Sequence, residues 1–209
     1  MRITILGTGA MAAALGGRWA GAGHQVCIAG RSVDKAAALA TRLGAGVRAS
    51  GLSAAAVADA DAVLAAVTWD GVGEALEAVG AGTRTLAGTT LLDPTNALVH
   101  GTGEARLPVG VSAAERIAEL APGAHVVKAF HLFPAEHWTD PAAARATVAI
   151  CGDQSDALER AGVLIRAAGA EPAVVGGLHR ARQLEEAAGL VIRLFFAGFD
   201  PRGAVPGAA

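Results

Sequence analysis

The sequence predicts an α/β fold in which a mostly parallel, doubly wound sheet carries helices on both faces, and three observations predict it. Short apolar runs alternate with longer, alanine-rich amphipathic stretches, the rhythm imposed by strand, crossover helix and parallel strand. A glycine turn, Gly7-Thr8-Gly9, separates the first apolar run from the first amphipathic one. Of 209 residues, 53% are hydrophobic, enough to bury a core on both sides of a sheet.

Arg2–Leu6 reads as a buried strand, and Met11–Ala22 as a helix in which Met11, Leu15 and Trp19 recur every four residues. Gly23 stops that helix. Gln25–Ala29 is the second strand, Ser32 caps a helix running to Leu43, and Val47–Ala49 is a short third strand. Ala62–Val67 follows as a fourth strand and Trp69–Val79 as a helix. Thr83–Ala87 is expected as the next strand, after which Asp93-Pro94-Thr95-Asn96 breaks into a loop and irregular structure continues to Val111. Asp93 reads as a turn residue.

Ser112-Ala113-Ala114-Glu115 is a capping-box sequence, with Glu115 as its cap residue, opening a helix that ends near Pro122. Val126–Phe130 is the sixth strand, and the loop behind it holds His131, His137 and Trp138. A strand (Thr147–Cys151), a helix (Ser155–Ala168), a strand (Pro172–Val175) and a helix (Leu178–Gly198) complete the pattern, with a tail expected to fray from Pro201. That last helix bears Leu184, Leu190, Ile192, Leu194, Phe195 and Phe196, more apolar surface than a terminal helix exposes to water. A homodimer through this helix is the expectation, with packing onto its own sheet as the other reading.

Composition removes several function classes. A formal charge of -2 without long runs of either sign leaves no electrostatic footprint for nucleic acid or an anionic membrane. Cys27 and Cys151 lie far apart in strand-like runs, as suits reduced, buried thiols rather than a disulfide framework or a metal site. A cytoplasmic setting follows as an expectation. Met1–Leu6 is too short for an export signal, and no charge-free stretch reaches membrane-spanning length.

The chemistry is carried by Gly7-Thr8-Gly9-Ala10-Met11-Ala12, a GxGxxA pattern between a buried strand and a helix, as in Rossmann-type dinucleotide-binding domains. Gly7 permits the tight turn, Gly9 lets backbone approach a pyrophosphate, and Ala12 permits close packing of helix on strand. The end of the turn at Ala10 and the helix start at Met11 then offer N–H groups and the helix's positive dipole end to phosphates. At the end of the second strand, where an acidic residue would accept from the ribose 2′-hydroxyl of NAD, this chain has Gly30-Arg31-Ser32. Arg31, Ser32 and, one helical turn on, Lys35 suit a 2′-phosphate, which favours NADP. Residues 1–209 are therefore expected as a single NADP-binding domain. About 1–130 form the dinucleotide-binding core, and about 131–198 supply a second-substrate loop, extra strands and a closing helix.

With those residues in place, the chain resembles the NADPH-dependent reductases of the deazaflavin coenzyme F420, the coenzyme F420:NADP oxidoreductases. The likeness runs from about residue 1 to residue 198 and includes Ser112-Ala113-Ala114-Glu115, Val126-Val127 leading into His131, Pro134 and Ala135, then Cys151-Gly152-Asp153, and Gly177-Leu178 before the closing helix. It implies hydride transfer between NADPH and F420 in a cleft at the carboxyl edge of the sheet, usually by a homodimer. It also implies that Thr8, Arg31 and Ser32 grip the 2′-phosphate, that Thr68 and Trp69 border the nicotinamide, and that His131 lines the second substrate's pocket. Two departures stand out. Arg31-Ser32 replaces a frequent pair of arginines, and Phe199-Asp200-Pro201-Arg202-Gly203 with a short tail replaces the segment that helps enclose the deazaflavin.

Hydride transfer between two flat carriers asks the protein for positioning more than for acid–base groups. No Ser-His-Asp order, metal-ligand cluster or Tyr-x-x-x-Lys pair is present in the sequence, which lacks Tyr. His131 reads either as a donor to the acceptor ring or as a histidine satisfied by backbone. His137 reads as a rim or surface residue. Asn96 reads as a loop-ordering residue or one that reaches the cofactor, and Trp69 as pocket wall in preference to core. Two other functions share these features: an NADPH-dependent reductase of a small imine or carbonyl compound, and a non-catalytic NADP-binding sensor.

Overall fold

The computed structural model describes residues 1–140 and 146–204. Its strands are β1 (Arg2–Leu6), β2 (Gln25–Gly30), β3 (Arg48–Gly51), β4 (Ala62–Ala65), β5 (Thr90–Asp93), β6 (His125–Lys128), β7 (Thr147–Gly152) and β8 (Glu171–Val174). The helices are α1 (Ala10–Gly21), α2 (Val33–Leu43), α3 (Ala54–Val57), α4 (Trp69–Ala78), α5 (Ala113–Leu120), α6 (Ser155–Ala167) and α7 (Ala181–Phe196). The eight strands form one sheet in the order β3-β2-β1-β4-β5-β6-β7-β8. All neighbours run parallel except β6 and β7. This is the doubly wound Rossmann-type architecture.

Alternation along the strands divides the core between the two faces, because successive side chains point to opposite sides. Ile3, Ile5, Leu64, Leu92 and Val127 pack with residues of α1, α2 and α6, including Leu15, Trp19, Leu39 and Ile165. Leu6, Val63, Leu91 and Val126 pack with Val72, Leu76 and Ile117 from α4 and α5. Trp19 spends its one polar atom inside this core, donating from Nε1 to the Leu164 carbonyl at 2.8 Å. The capping box holds as read: Ser112 Oγ accepts from the Glu115 N–H and Glu115 accepts from the Ser112 N–H. Both cysteines are free and buried, and burial pushes both thiols up, Cys151 to about 12, which keeps them unreactive.

The strand expected at Thr83–Ala87 lies instead at Thr90–Asp93, and Ala81–Thr83 is a 3-10 turn. The threonines mimic a strand but turn the chain: Thr83 Oγ1 donates to the Gly80 carbonyl and Thr85 Oγ1 to that of Val79. Such local side-chain bonds compete with sheet pairing. The Pro201 tail opens with a 3-10 turn at Pro201–Ala204, and residues 205–209 lie outside the described residues.

Asp93 turns the chain as read, its Oδ1 accepting the Thr95 N–H two residues on at 2.8 Å, but it does more than that. It ends β5 with its carboxylate fully buried, 2.9 Å from Nζ of Lys128 at the end of β6, and Lys128 also meets Glu185 of α7 at 2.8 Å. Lys128 further donates to the Thr95 carbonyl. Asp93 Oδ1 takes the N–H and hydroxyl of Thr95, and Glu185 takes the N–H groups of Ala113 and Ala114 at the start of α5. Burial alone would lower the Lys128 pKa, but the two carboxylates more than offset it and hold the ammonium charged. Replacing Lys128 by Met leaves two buried carboxylates without a counter-charge. The expected cost in urea unfolding is about 3–5 kcal/mol, and an unfolding curve within about 0.5 kcal/mol of the wild type would show that the cluster does not hold the carboxyl ends of β5 and β6 to α7.

Candidate functional site

Strand order reverses at β1, whose neighbours β2 and β4 continue the sheet in opposite directions, so a crevice opens at the carboxyl ends of β1 and β4. Gly7 sits there with φ +123°, and a Cβ on it would lie 2.2 Å from the Ala66 carbonyl oxygen. Only glycine fits that turn. A Cβ on Gly9 would meet nothing within 4 Å, so the surface there is open to a ligand. Gly9 caps α1 without a side-chain bond, which leaves the first N–H groups of the helix available to anionic oxygens.

The crevice has two lobes joined at Gly9, Ala66, Val67 and Thr68. The smaller, about 320 Å³, brings together Gly7, Thr8, Gly9, Arg31, Ser32 and Lys35. Ser32 also caps α2 by accepting from the Lys35 N–H. The larger, about 800 Å³, brings together Gly9, Ala10, Met11, Thr68, Trp69 and Asn96, with Leu98, Val99, His100 and Arg106 on the far wall. The sequence-read positions thus divide into a cationic lobe and a largely apolar one, as an adenosine phosphate and a nicotinamide would require. The lobes and the uncapped helix start fit NADP.

His131 is the exception among them. It is 6% exposed and lines neither lobe. Its carbonyl accepts from the Asn96 side-chain amide at 2.7 Å, while its Nδ1 and Asn96 Oδ1 are buried without hydrogen-bond partners. Burial, followed by the Lys128 charge, pushes its pKa down to about 3. Phe130, just before it, has φ 63°, an uncommon conformation for a bulky residue, held by edge-on contacts with Trp19 and Trp138.

Two acidic partners and a loop arginine escaped sequence reading. Glu74 pairs with Arg31 at 3.0 Å, and Asp70 pairs with Arg106 at 2.6 Å. Asp70 and Glu74 are four apart on α4, the one sequence signal that they share a face. The irregular segment before α5 is also more ordered than expected, with Leu98 and Ala105 bridged as antiparallel neighbours. Among the described residues, no group of three or more His, Cys, Asp or Glu could hold a metal ion, and no helix is long and apolar enough to cross a membrane.

Comparison with known proteins agrees with this geometry. Residues 2–97 match the family described as NADP oxidoreductase, coenzyme F420-dependent. Over 187 residues the chain is 32% identical to the metalloreductase STEAP3 of Rattus norvegicus, covering 88% of this chain and 36% of that one, so it spans little more than a third of that relative's length. Among solved structures, a candidate F420-dependent NADP reductase from Arthrobacter sp. matches with a TM-score of 0.80 and 28% identity over 95% of this chain and 96% of that one. A hypothetical protein from Sinorhizobium meliloti matches with a TM-score of 0.74 and 29% identity over 87% of each. A reductive aminase from Aspergillus terreus, solved with NADPH, shares the fold at a TM-score of 0.69 and 23% identity over 94% of this chain and 63% of that one.

The buried imidazole gives a pH signature. Unfolded, His131 takes a proton near 6.5, and folded only near 3. Its contribution to stability is therefore complete above pH 6.5 and lost as pH falls towards 3, at up to about 1.4 kcal/mol per pH unit. Between pH 6.5 and 5, His131→Gln should lose stability less steeply than the wild type in parallel urea titrations. Superimposable pH slopes would mean that the imidazole is not held neutral.

Proposed function

We propose that the whole chain, whose residues 2–97 match the family of coenzyme F420-dependent NADP oxidoreductases, transfers a hydride between NADPH and a deazaflavin coenzyme of the F420 kind. The observation that carries the reading is the two-lobed crevice at the strand-order reversal, cationic at Arg31, Ser32 and Lys35 and largely apolar beyond Gly9. NADPH, when bound, supplies the hydride, and the chain's residues hold the reactants and exclude water.

Arg31 and Lys35 receive the 2′-phosphate, with Ser32 donating from its hydroxyl, and the start of α1 receives the pyrophosphate. Thr68 and Trp69 wall the nicotinamide end, and Met11, Leu98 and Val99 supply an apolar surface against which a second flat ring packs. His131 acts as a positioning residue: its carbonyl fixes the Asn96 amide on the lobe wall, and its neutral ring brings no charge beneath the site. The exposed Leu190, Phe195 and Phe196 of α7 are the proposed contact with a second copy.

The test mixes the protein with NADPH and oxidised F420 and follows loss of deazaflavin absorbance. Bleaching is expected, and Arg31→Glu should raise KM for NADPH by about tenfold or more, a cost of about 1.4 kcal/mol or more, with kcat little changed. NADPH binding without bleaching would contradict the deazaflavin reading and leave a small imine or carbonyl acceptor, or a sensor.

A further inference from the structure

We propose that Arg106 is the anion receptor for the hydride acceptor, with Asp70 as a placeholder that the acceptor's phosphate or carboxylate displaces. The proposal rests on reading the larger lobe as the acceptor's side of the crevice.

Both residues line that lobe, and their 2.6 Å contact is solvated, with side chains 40% and 71% exposed. An ion pair so placed contributes little net stability, so an incoming anion exchanges for it at small cost. Arg106 is nevertheless not a loose arm. Its N–H donates to the Ala97 carbonyl at 2.8 Å, and the Val99 N–H donates to that of Glu104 at 2.8 Å. The segment 97–106 is seated on α7 by backbone contact at Gly103, which has φ +71° and where a Cβ would lie 2.2 Å from the Gly189 carbonyl oxygen. The base of a guanidinium held this way is fixed in the lobe wall, as recognition of a planar carboxylate or phosphate requires.

The dinucleotide's own anions have other receivers. Its 2′-phosphate faces Arg31, Ser32 and Lys35 in the smaller lobe, and its pyrophosphate faces the uncapped start of α1. Arg106 is left over, beside an apolar wall that includes Met11, Trp69 and Leu98. The acceptor that satisfies this lobe combines a flat apolar ring with an anionic substituent. A parallel arrangement stands at the other lobe, where Glu74, one helical turn from Asp70, holds Arg31. The same helix face thus presents a carboxylate to each ligand-facing arginine.

The test titrates NADP-saturated protein with inorganic phosphate and, separately, with succinate, following tryptophan fluorescence. Saturating NADP keeps the other anion sites filled, and Trp69 lines the lobe whereas Trp19 and Trp138 are fully buried. At least one anion should bind, and the tighter one identifies the substituent as phosphate or carboxylate. Arg106→Gln should weaken that binding about tenfold or more, and Asp70→Asn should strengthen it about threefold or more. The proposal is overturned by no fluorescence response to either anion, by unchanged affinity in Arg106→Gln, by weaker binding in Asp70→Asn, or by Arg106→Gln weakening NADP by the same factor. If NADP itself fails to bind, the functional reading falls and takes this inference with it; failure of the anion alone removes only the inference.

Discussion

The buried contact of Lys128 with Asp93 and Glu185 is the constraint on which the rest of the molecule depends. One ammonium joins the ends of β5 and β6 to α7, and Glu185 passes the connection to the first N–H groups of α5. Its geometry explains why the cleft walls stand where they do. Asp93 leads directly into Pro94, Thr95 and Asn96 on the larger lobe, and Lys128 leads into Phe130 and His131 beneath it. Desolvating three charges is expensive, and such a cluster persists only when every lone pair and proton is used. Thr95, Ala113 and Ala114 supply that saturation.

The same charge governs His131. An imidazole close to a buried ammonium, and itself buried, stays neutral, so the electrostatics of the larger lobe are set by Arg106 and Asp70 and not by the histidine. What His131 does reach is Asn96 on the lobe wall, whose side-chain amide donates to its backbone carbonyl. Arginines held by exposed carboxylates on α4 frame the two lobes, so their cations are already placed yet only lightly retained.

Local patterns made much of this legible in the sequence. The GxGxxA turn, Ser32 as a helix cap and the Ser112-Glu115 capping box depend on neighbours within a few residues, and each stands as read. That Arg31 lines the crevice was legible because the position just after β2 borders the cleft in this fold. What escaped was non-local. Glu185 lies 57 positions from Lys128 and 92 from Asp93 along the chain, and nothing in the sequence pairs them. The Thr83–Ala87 error has the opposite cause: strand-like composition was overridden by threonine hydroxyls bonding back to their own turn. Arg106 was hidden in a segment without periodicity, and its seat depends on the contact of Gly103 with Gly189 across the fold.

The central claim is that the crevice holds NADP through a cationic lobe built around Arg31. Calorimetric titration of the protein with NADPH and with NADH tests it most directly, repeated at low and at physiological ionic strength. NADPH should bind about tenfold or more tightly, with a preference that narrows as salt screens the exposed cations. Equal affinity, or tighter binding of NADH, would contradict the claim.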